Sequence, residues 1–371
     1  MAFRKAFLFL FLVLSAGASS PAWAQSPQTR DHAKAVADLK ASLAKDPRSK
    51  PLRSALSAAL SEWGNSLYES GNRKQALPKY LEAVESDPEN GPAWFMLGDL
   101  SYLELSDFGK AEYYWNKAMP LAPPEIRRAI VDRISRGRAD QALERRYQSL
   151  ETPNFVVRYG EGFDPAEARR IGTYLEERYA VLAEELRTQA SRLTVIIYAD
   201  GSFGRLSGGH DEILGLYDGR IRMPASQVKG PYEKVILSHE LAHAFLQHRF
   251  GGGLPVWIQE GYAQSKEPER PYNPAETEAL QKLAEGTLWT PIPYLDRRFS
   301  KPVSADQASE AYLEARMAVR YLLENSPQGE FVVFLERLSR GEPVDKAFGA
   351  SFPKLDWDQF SHGRGLGKIP D

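Results

Sequence analysis

The chain of 371 residues contains no cysteine, so disulfides are excluded and its stability must come from the hydrophobic core and any bound metal. Charge of one sign is also lacking. The 47 basic side chains almost balance the 49 acidic ones, for a net charge of −2. No basic block marks a surface for nucleic acid, and a peptide or protein substrate fits this balance better.

Residues 1–24 have the pattern of a secretory signal peptide. A basic start precedes an apolar run at residues 6–14, and an A-x-A cleavage site ends at Ala24. The apolar run is too short to span a bilayer stably. We therefore expect cleavage after Ala24, a mature chain that begins at Gln25, and a periplasmic or secreted protein. No cysteine follows the cut to carry a lipid, and no later segment is apolar for long enough to anchor the chain in a membrane.

Residues 57–123 carry a repeat of roughly 34 residues that resembles tetratricopeptide units. The matching positions include Gly64, Ala76 and Tyr80 in the first unit and Gly98, Ala111 and Trp115 in the second. Small residues at these offsets let paired helices approach closely. We expect a helical repeat domain over residues 25–150 that offers a groove to a protein partner or docks on the rest of the chain, with a helical prop without any partner as the alternative.

The second half predicts an α+β domain over residues 151–362, followed by a frayed tail at 363–371. Its expected elements are a strand at 154–159, an amphipathic helix that Asp164 caps and Pro165 opens, a buried strand at 193–198, a second strand at 215–223, and small helices near the C-terminal end. This order is typical of an antiparallel or mixed sheet. Nothing in it suggests a nucleotide-binding fold.

The most informative stretch is HELAH at residues 239–243. Histidines four apart lie one turn apart on the same helix face, so both rings can reach one ion while Glu240 stands beside it. The apolar residues around the motif, after Pro231, predict a buried helix that ends at the glycines of 251–253. The alternative is two histidines that hydrogen-bond on a structural helix.

A third ligand decides which kind of zinc site this would be. The metzincin pattern requires Gly at 246 and His at 249, where this chain has Leu246 and Arg249. His248 would face away from the metal, and we expect it to be exposed or to make a structural contact. Sixteen residues separate His243 from Glu260, which lies near the start of the next predicted helix. It completes a His, His, Glu set for Zn²⁺ that leaves a fourth position for water.

On these residues the chain resembles the gluzincins, in particular the bacterial peptidase MA-like family. The resemblance rests on HELAHAFL at 239–246, PVWIQEGYA at 255–263 and GLYDGRIRMP at 215–224, and it covers roughly residues 150 to 360. One departure from the related alanyl aminopeptidases is Gln259, where those enzymes usually have Asn before the ligand Glu. Exopeptidase specificity is therefore not implied.

The expected activity is that of a zinc metallopeptidase. Zinc lowers the pKa of its bound water to about 7 and polarises the scissile carbonyl. Glu240 is the candidate general base, which passes the water proton to the leaving amine. Related enzymes supply an oxyanion donor from a later helix, and Tyr312 is the first choice here, with Tyr262 and Tyr217 as rivals. Tyr312 as a packing residue remains an equal alternative.

The strand expected at 215–223 would complete the cleft. An edge strand can pair with the backbone of an extended peptide and so place the scissile bond without demanding a particular side chain. Arg220 and Arg222 alternate onto one face of this strand, where they either meet a substrate carboxylate or, as we expect, form a solvated face.

Two hypotheses follow for the whole protein. The first is a zinc-dependent peptidase that acts on extracytoplasmic polypeptides. The second is a catalytically silent tetratricopeptide scaffold whose peptidase-like domain binds a peptide or a partner without cleaving it. A scaffold has no need of Glu240, so the presence of all four residues of the motif set favours the enzyme.

Overall fold

The structure, a computed structural model, is mostly helical with a small mixed sheet of five strands, which confirms the α+β class. It describes residues 32–69, 73–190, 192–199, 203, 214–251, 253–269, 272, 274–285, 288–300 and 305–364. The predicted signal peptide and most of the predicted frayed tail lie outside these ranges. Within them, no helix has the length and apolar content needed to cross a membrane.

The described residues form two compact units. The first takes the chain up to Asp164 together with Gln189–Thr194, and the second takes Pro165–Thr188 and the chain from Val195 onward. The elements of the first unit are helices α1 (His32–Lys45), α2 (Lys50–Glu69), α3 (Arg73–Ser86), α4 (Gly91–Leu103), α5 (Phe108–Ala118) and α6 (Pro124–Glu144), then strands β1 (Gln148–Glu151) and β2 (Phe155–Tyr159).

Two helix pairs of the first unit pack through the same kind of contact, a glycine against an aromatic ring. A Cβ on Gly64 of α2 would lie 2.8 Å from the ring of Tyr80 on α3. A Cβ on Gly98 of α4 would lie 2.2 Å from the ring of Trp115 on α5. Both aromatic side chains are fully buried. The two helix pairs therefore share a glycine–aromatic contact at the offsets that the sequence repeat predicts.

The second unit carries the rest of the elements. They are α7 (Pro165–Glu185), β3 (Leu193–Tyr198, in this unit from Val195), β4 (Leu216–Tyr217), β5 (Ile221–Pro224), α8 (Glu233–Phe250), α9 (Val256–Ser265), α10 (Pro274–Ala284), α11 (Ile292–Ser300), α12 (Ala305–Asn325), α13 (Gln328–Ser339), α14 (Val344–Ser351) and α15 (Trp357–Ser361). All six side chains of β3 are buried, as the sequence predicts for this strand.

The strand order in the sheet is β1-β2-β3-β5-β4. β3 and β5 are parallel, with Val195 opposite Ile221, and β4 is antiparallel to β5. The prediction of one strand over residues 215–223 was wrong, because Gly219 adopts φ 101° and turns the chain between β4 and β5. Asp-Gly is a favoured hairpin turn, so the local sequence explains the break. β4 is left as an edge strand of the sheet.

β1 was not expected from the sequence. It pairs antiparallel with β2, with Leu150 opposite Val157. Three of its four side chains are exposed. A strand with no buried face carries no period-two hydrophobic pattern, so only its partner makes it visible.

Candidate metal centre

Three buried side chains of the second unit converge on one point. His239 Nε2 lies 3.0 Å from His243 Nε2, and Glu260 Oε2 lies 3.5 Å from the first nitrogen and 3.6 Å from the second. Within the described residues, these three form the group of side chains that could hold a metal ion. The sequence-predicted ligand set is therefore brought together.

Helix α8 supplies both histidines. Nearly all of its side chains are buried, HELAH included, so the helix passes through the core rather than over it. It ends as predicted, at Gly251, which adopts φ 66° and donates its N–H to the carbonyl of Gln247. Glycine is the residue that adopts this left-handed conformation without strain.

Helix α7 braces α8 at two points. Both oxygens of Glu233, in the first turn of α8, lie 2.7 Å from a terminal nitrogen of Arg170. One turn further on, the hydroxyl of Tyr174 lies 2.6 Å from Ser238 Oγ, next to His239 in the chain. These contacts fix both the start of α8 and its rotation at the first histidine.

Helix α9 places Glu260. Its first turn is capped from α11, where Asp296 Oδ1 accepts the backbone N–H of Trp257 at 2.9 Å. A Cβ on Gly261 would lie 2.2 Å from the carbonyl oxygen of Ala315, so α9 and α12 touch backbone to backbone beside Glu260. Any larger residue at 261 would push the ligand carboxylate away from the histidines.

The carboxylate of Glu260 is fully buried, and within the described part of the chain its oxygens have no hydrogen-bond partner, the nearest polar groups being the histidine nitrogens at 3.5 and 3.6 Å. Buried polar groups are normally hydrogen-bonded, because an unmatched buried charge is costly. A tetrahedral zinc ion, with bonds of about 2.0–2.2 Å, sets its ligand atoms about 3.3 Å apart. The observed separations of 3.0, 3.5 and 3.6 Å bracket this value. The donor set therefore fits zinc in both chemistry and spacing.

Glu267 is a site residue that the sequence did not reveal. Its Oε1 lies 2.8 Å from Nδ1 of His239, and its side chain is buried. A carboxylate on the far nitrogen of a ligand histidine orients the ring and leaves Nε2 for the metal. The signal was its spacing of seven residues, or two helical turns, from Glu260, although α9 has ended by this point.

The acidic and histidine side chains of the site favour each other's charged forms. Burial opposes the charged form of His239, but Glu260 and Glu267 outweigh it and raise its pKa to about 10. Burial likewise opposes ionisation of Glu260, yet the neighbouring His243 and His239 lower its pKa to about 2. Glu260 is thus a carboxylate at neutral pH that pairs with the histidines, and a metal ion that binds here would displace the proton of His239.

Glu240 follows His239 in the chain but is not one of the three converging side chains. It is buried, and its Oε2 has no hydrogen-bond partner among the described residues. Burial raises its pKa to about 8, in spite of the nearby His239. A Cβ on Gly215, the residue before edge strand β4, would lie 3.0 Å from Glu240 Oε1 and 2.4 Å from Ile236 Cγ2. The missing side chain at 215 therefore lets the edge segment approach Glu240.

The predicted oxyanion donor Tyr312 lies on α12. Its backbone carbonyl accepts a hydrogen bond from Gln264 Nε2 at 3.1 Å, and its ring packs edge-on against Phe299. Its role as oxyanion donor stays a prediction. Of its rivals, Tyr262 is fully buried with its ring stacked on Phe331, while Tyr217 lies on edge strand β4.

His248 is buried, so of its two expected environments the structure excludes the exposed one. The expectation that Arg220 and Arg222 form a solvated face was wrong, since both are fully buried. Arg222 donates to Asp218 Oδ1 at 2.9 Å and to the hydroxyl of Tyr198, an arrangement that ties β5 to its turn and to β3.

Comparison with known protein families finds no family model that matches the chain, and no curated protein matches it.

Proposed function

We propose that the protein is a zinc-dependent metallopeptidase that hydrolyses peptide bonds of extracytoplasmic polypeptides. The observation that carries the proposal is the buried cluster of His239, His243 and Glu260, whose carboxylate oxygens make no hydrogen bond within the described residues, with Glu240 beside it in the chain. The gluzincin-like motifs and the tetratricopeptide-like repeats of the sequence are consistent with this proposal and remain resemblances.

The residues of the candidate metal centre would have different roles. His239 and His243 would bind zinc through Nε2, Glu260 would bind it through a carboxylate oxygen, and Glu267 holds the His239 ring in place. When bound, zinc supplies Lewis-acid chemistry that lowers the pKa of water to about 7 and polarises a carbonyl.

Glu240 would move the proton. Burial favours the neutral carboxyl of Glu240, and a cation beside it would favour the carboxylate that a general base requires. Its buried Oε2 is available for this role, since no hydrogen bond from the described residues occupies it. Edge strand β4, beside Gly215, would pair with the backbone of an extended substrate, which favours peptides over small molecules.

Peptide-library profiling of the purified protein tests the proposal and reports endo- or exopeptidase action at once. We expect cleavage that stops when zinc is chelated and returns when zinc is restored. Binding of peptides without cleavage, at full zinc loading, would instead support the silent scaffold hypothesis.

A further inference from the structure

A partly buried ion pair lies next to the residue that contacts His239. Lys266, the residue after α9, places Nζ 2.5 Å and 2.7 Å from the two carboxylate oxygens of Glu185 on α7. The two side chains are 12% and 17% exposed. Neither residue is a candidate metal ligand, and the peptidase motifs do not require either of them.

The backbone at this point is held from α7 as well. A terminal nitrogen of Arg178 donates to the carbonyl of Lys266 at 3.4 Å, and Lys266 Nζ lies 4.7 Å from the ring centre of Tyr262. The N–H of Lys266 bonds to the carbonyl of Ala263 at 3.1 Å. The chain thus leaves α9 in one fixed direction.

The next residue is Glu267, whose carboxylate meets Nδ1 of His239 at 2.8 Å. Because the two residues are consecutive, any movement of Lys266 moves the Glu267 backbone. We infer that the Glu185–Lys266 ion pair is a positioning device that holds Glu267 against His239, and that α7 thereby sets how tightly the site binds zinc. This inference rests on the proposed metal centre.

The alternative is that the pair merely joins two helices. Burial is a poor environment for an ammonium group, and it lowers the pKa of Lys266 despite the carboxylate of Glu185. Apolar residues of similar volume often serve stability as well as a buried ion pair, which leaves fixed geometry as the better-supported role. A hydrophobic replacement therefore separates the two readings.

The experiment measures the zinc dissociation constant by competition with a chromogenic chelator, using zinc alone as the probe. We expect Lys266→Met to weaken zinc binding about tenfold or more, as do changes around ligand histidines elsewhere. Lys266→Arg keeps the contact with Glu185 and should restore most of the affinity. The matched control is Glu278→Gln, which breaks the exposed pair of Glu278 and Lys282 on α10 and should change nothing.

A double-mutant cycle with Glu267→Gln then shows whether Lys266 acts through Glu267. With Gln at 267, Lys266→Met should change the zinc dissociation constant less than about twofold. An equal loss in both backgrounds, or no loss in the single variant, would overturn the inference. A wild-type protein that binds no zinc would refute the proposed metal centre itself, so the two failures are distinguishable.

Discussion

The two units treat buried acidic side chains differently. In the first unit, Glu104 lies 2.9 Å from Arg73 and Glu144 lies 2.5 Å from Arg158, so each of these two carboxylates faces a guanidinium. In the second unit, Glu260 faces two imidazole nitrogens at 3.5 and 3.6 Å, and both Glu260 and Glu240 present buried oxygens that lack hydrogen bonds within the described part of the chain. Buried polar groups without hydrogen bonds are maintained at a cost and are concentrated at functional sites.

The contrast is not between a polar and an apolar unit. The second unit also pairs carboxylates, as in Glu314 with Arg298 and Glu233 with Arg170. By contrast, carboxylate oxygens of Glu240 and Glu260 make no hydrogen bond within the described residues. These two side chains lie at the His239, His243 and Glu260 cluster, which is where a cation fits.

The largest expected effect is on catalysis. Glu240→Gln removes the proton acceptor but keeps the shape and the metal ligands, so we expect kcat to fall about 10²–10⁴-fold while zinc content stays unchanged. Steady-state peptide cleavage and metal analysis of the same preparation measure this. Unchanged activity in the variant would show that Glu240 is not the general base.

Zinc removal should destabilise the second unit. A ligand that binds only the folded state, at about 1,000 times its dissociation constant, contributes about 4 kcal/mol to the free energy of unfolding. We expect chelation to lower the melting temperature and Glu260→Ala to make it insensitive to zinc. Calorimetry of both proteins with and without chelator checks this, and equal zinc dependence in the two would contradict the ligand assignment.

Breaking a paired charge in the first unit should lower the stability of the protein without affecting zinc binding. Arg73→Met leaves Glu104 buried without its guanidinium, and the free energy of unfolding should fall by about 3 kcal/mol. The zinc dissociation constant should not change. Denaturant unfolding followed by metal titration measures both quantities. Weaker zinc binding in this variant would contradict the expectation that the Arg73–Glu104 pair affects stability alone.

The smallest effect concerns packing. Gly98→Ala places a methyl group 2.2 Å from the ring of Trp115, while Gly64→Ala places one 2.8 Å from Tyr80. Overpacking of this kind costs about 1–3 kcal/mol, and we expect the larger loss at Gly98. Thermal unfolding of both variants ranks them. The opposite ranking would mean that the tryptophan ring shifts more easily than the tyrosine.

Local spacing made part of the site predictable. Histidines four apart on one helix must share a face, and a carboxylate at the start of the next helix can reach them after a glycine turn. The same holds for the helix pairs of the first unit, where Gly98 and Trp115 repeat the relation of Gly64 and Tyr80. In each case, the geometry depends on residues close in sequence.

Features that depend on tertiary contacts were not predictable in this way. Glu267 contacts His239 from beyond the end of α9, and the residue before it, Lys266, pairs with Glu185 of α7, 81 residues away in the chain. Arg222 is buried because Asp218 in the hairpin turn and Tyr198 on β3 both accept its hydrogen bonds. The alternating pattern of a strand predicts that an arginine faces solvent, because the pattern carries no information about hydrogen-bond partners on other segments.

Metal analysis of the purified protein decides whether His239, His243 and Glu260 bind a metal ion. We expect about one zinc ion per wild-type chain and loss of that ion in Glu260→Ala. A wild-type zinc content well below about half an equivalent after incubation with excess zinc would contradict the metal centre, and with it the proposed peptidase activity.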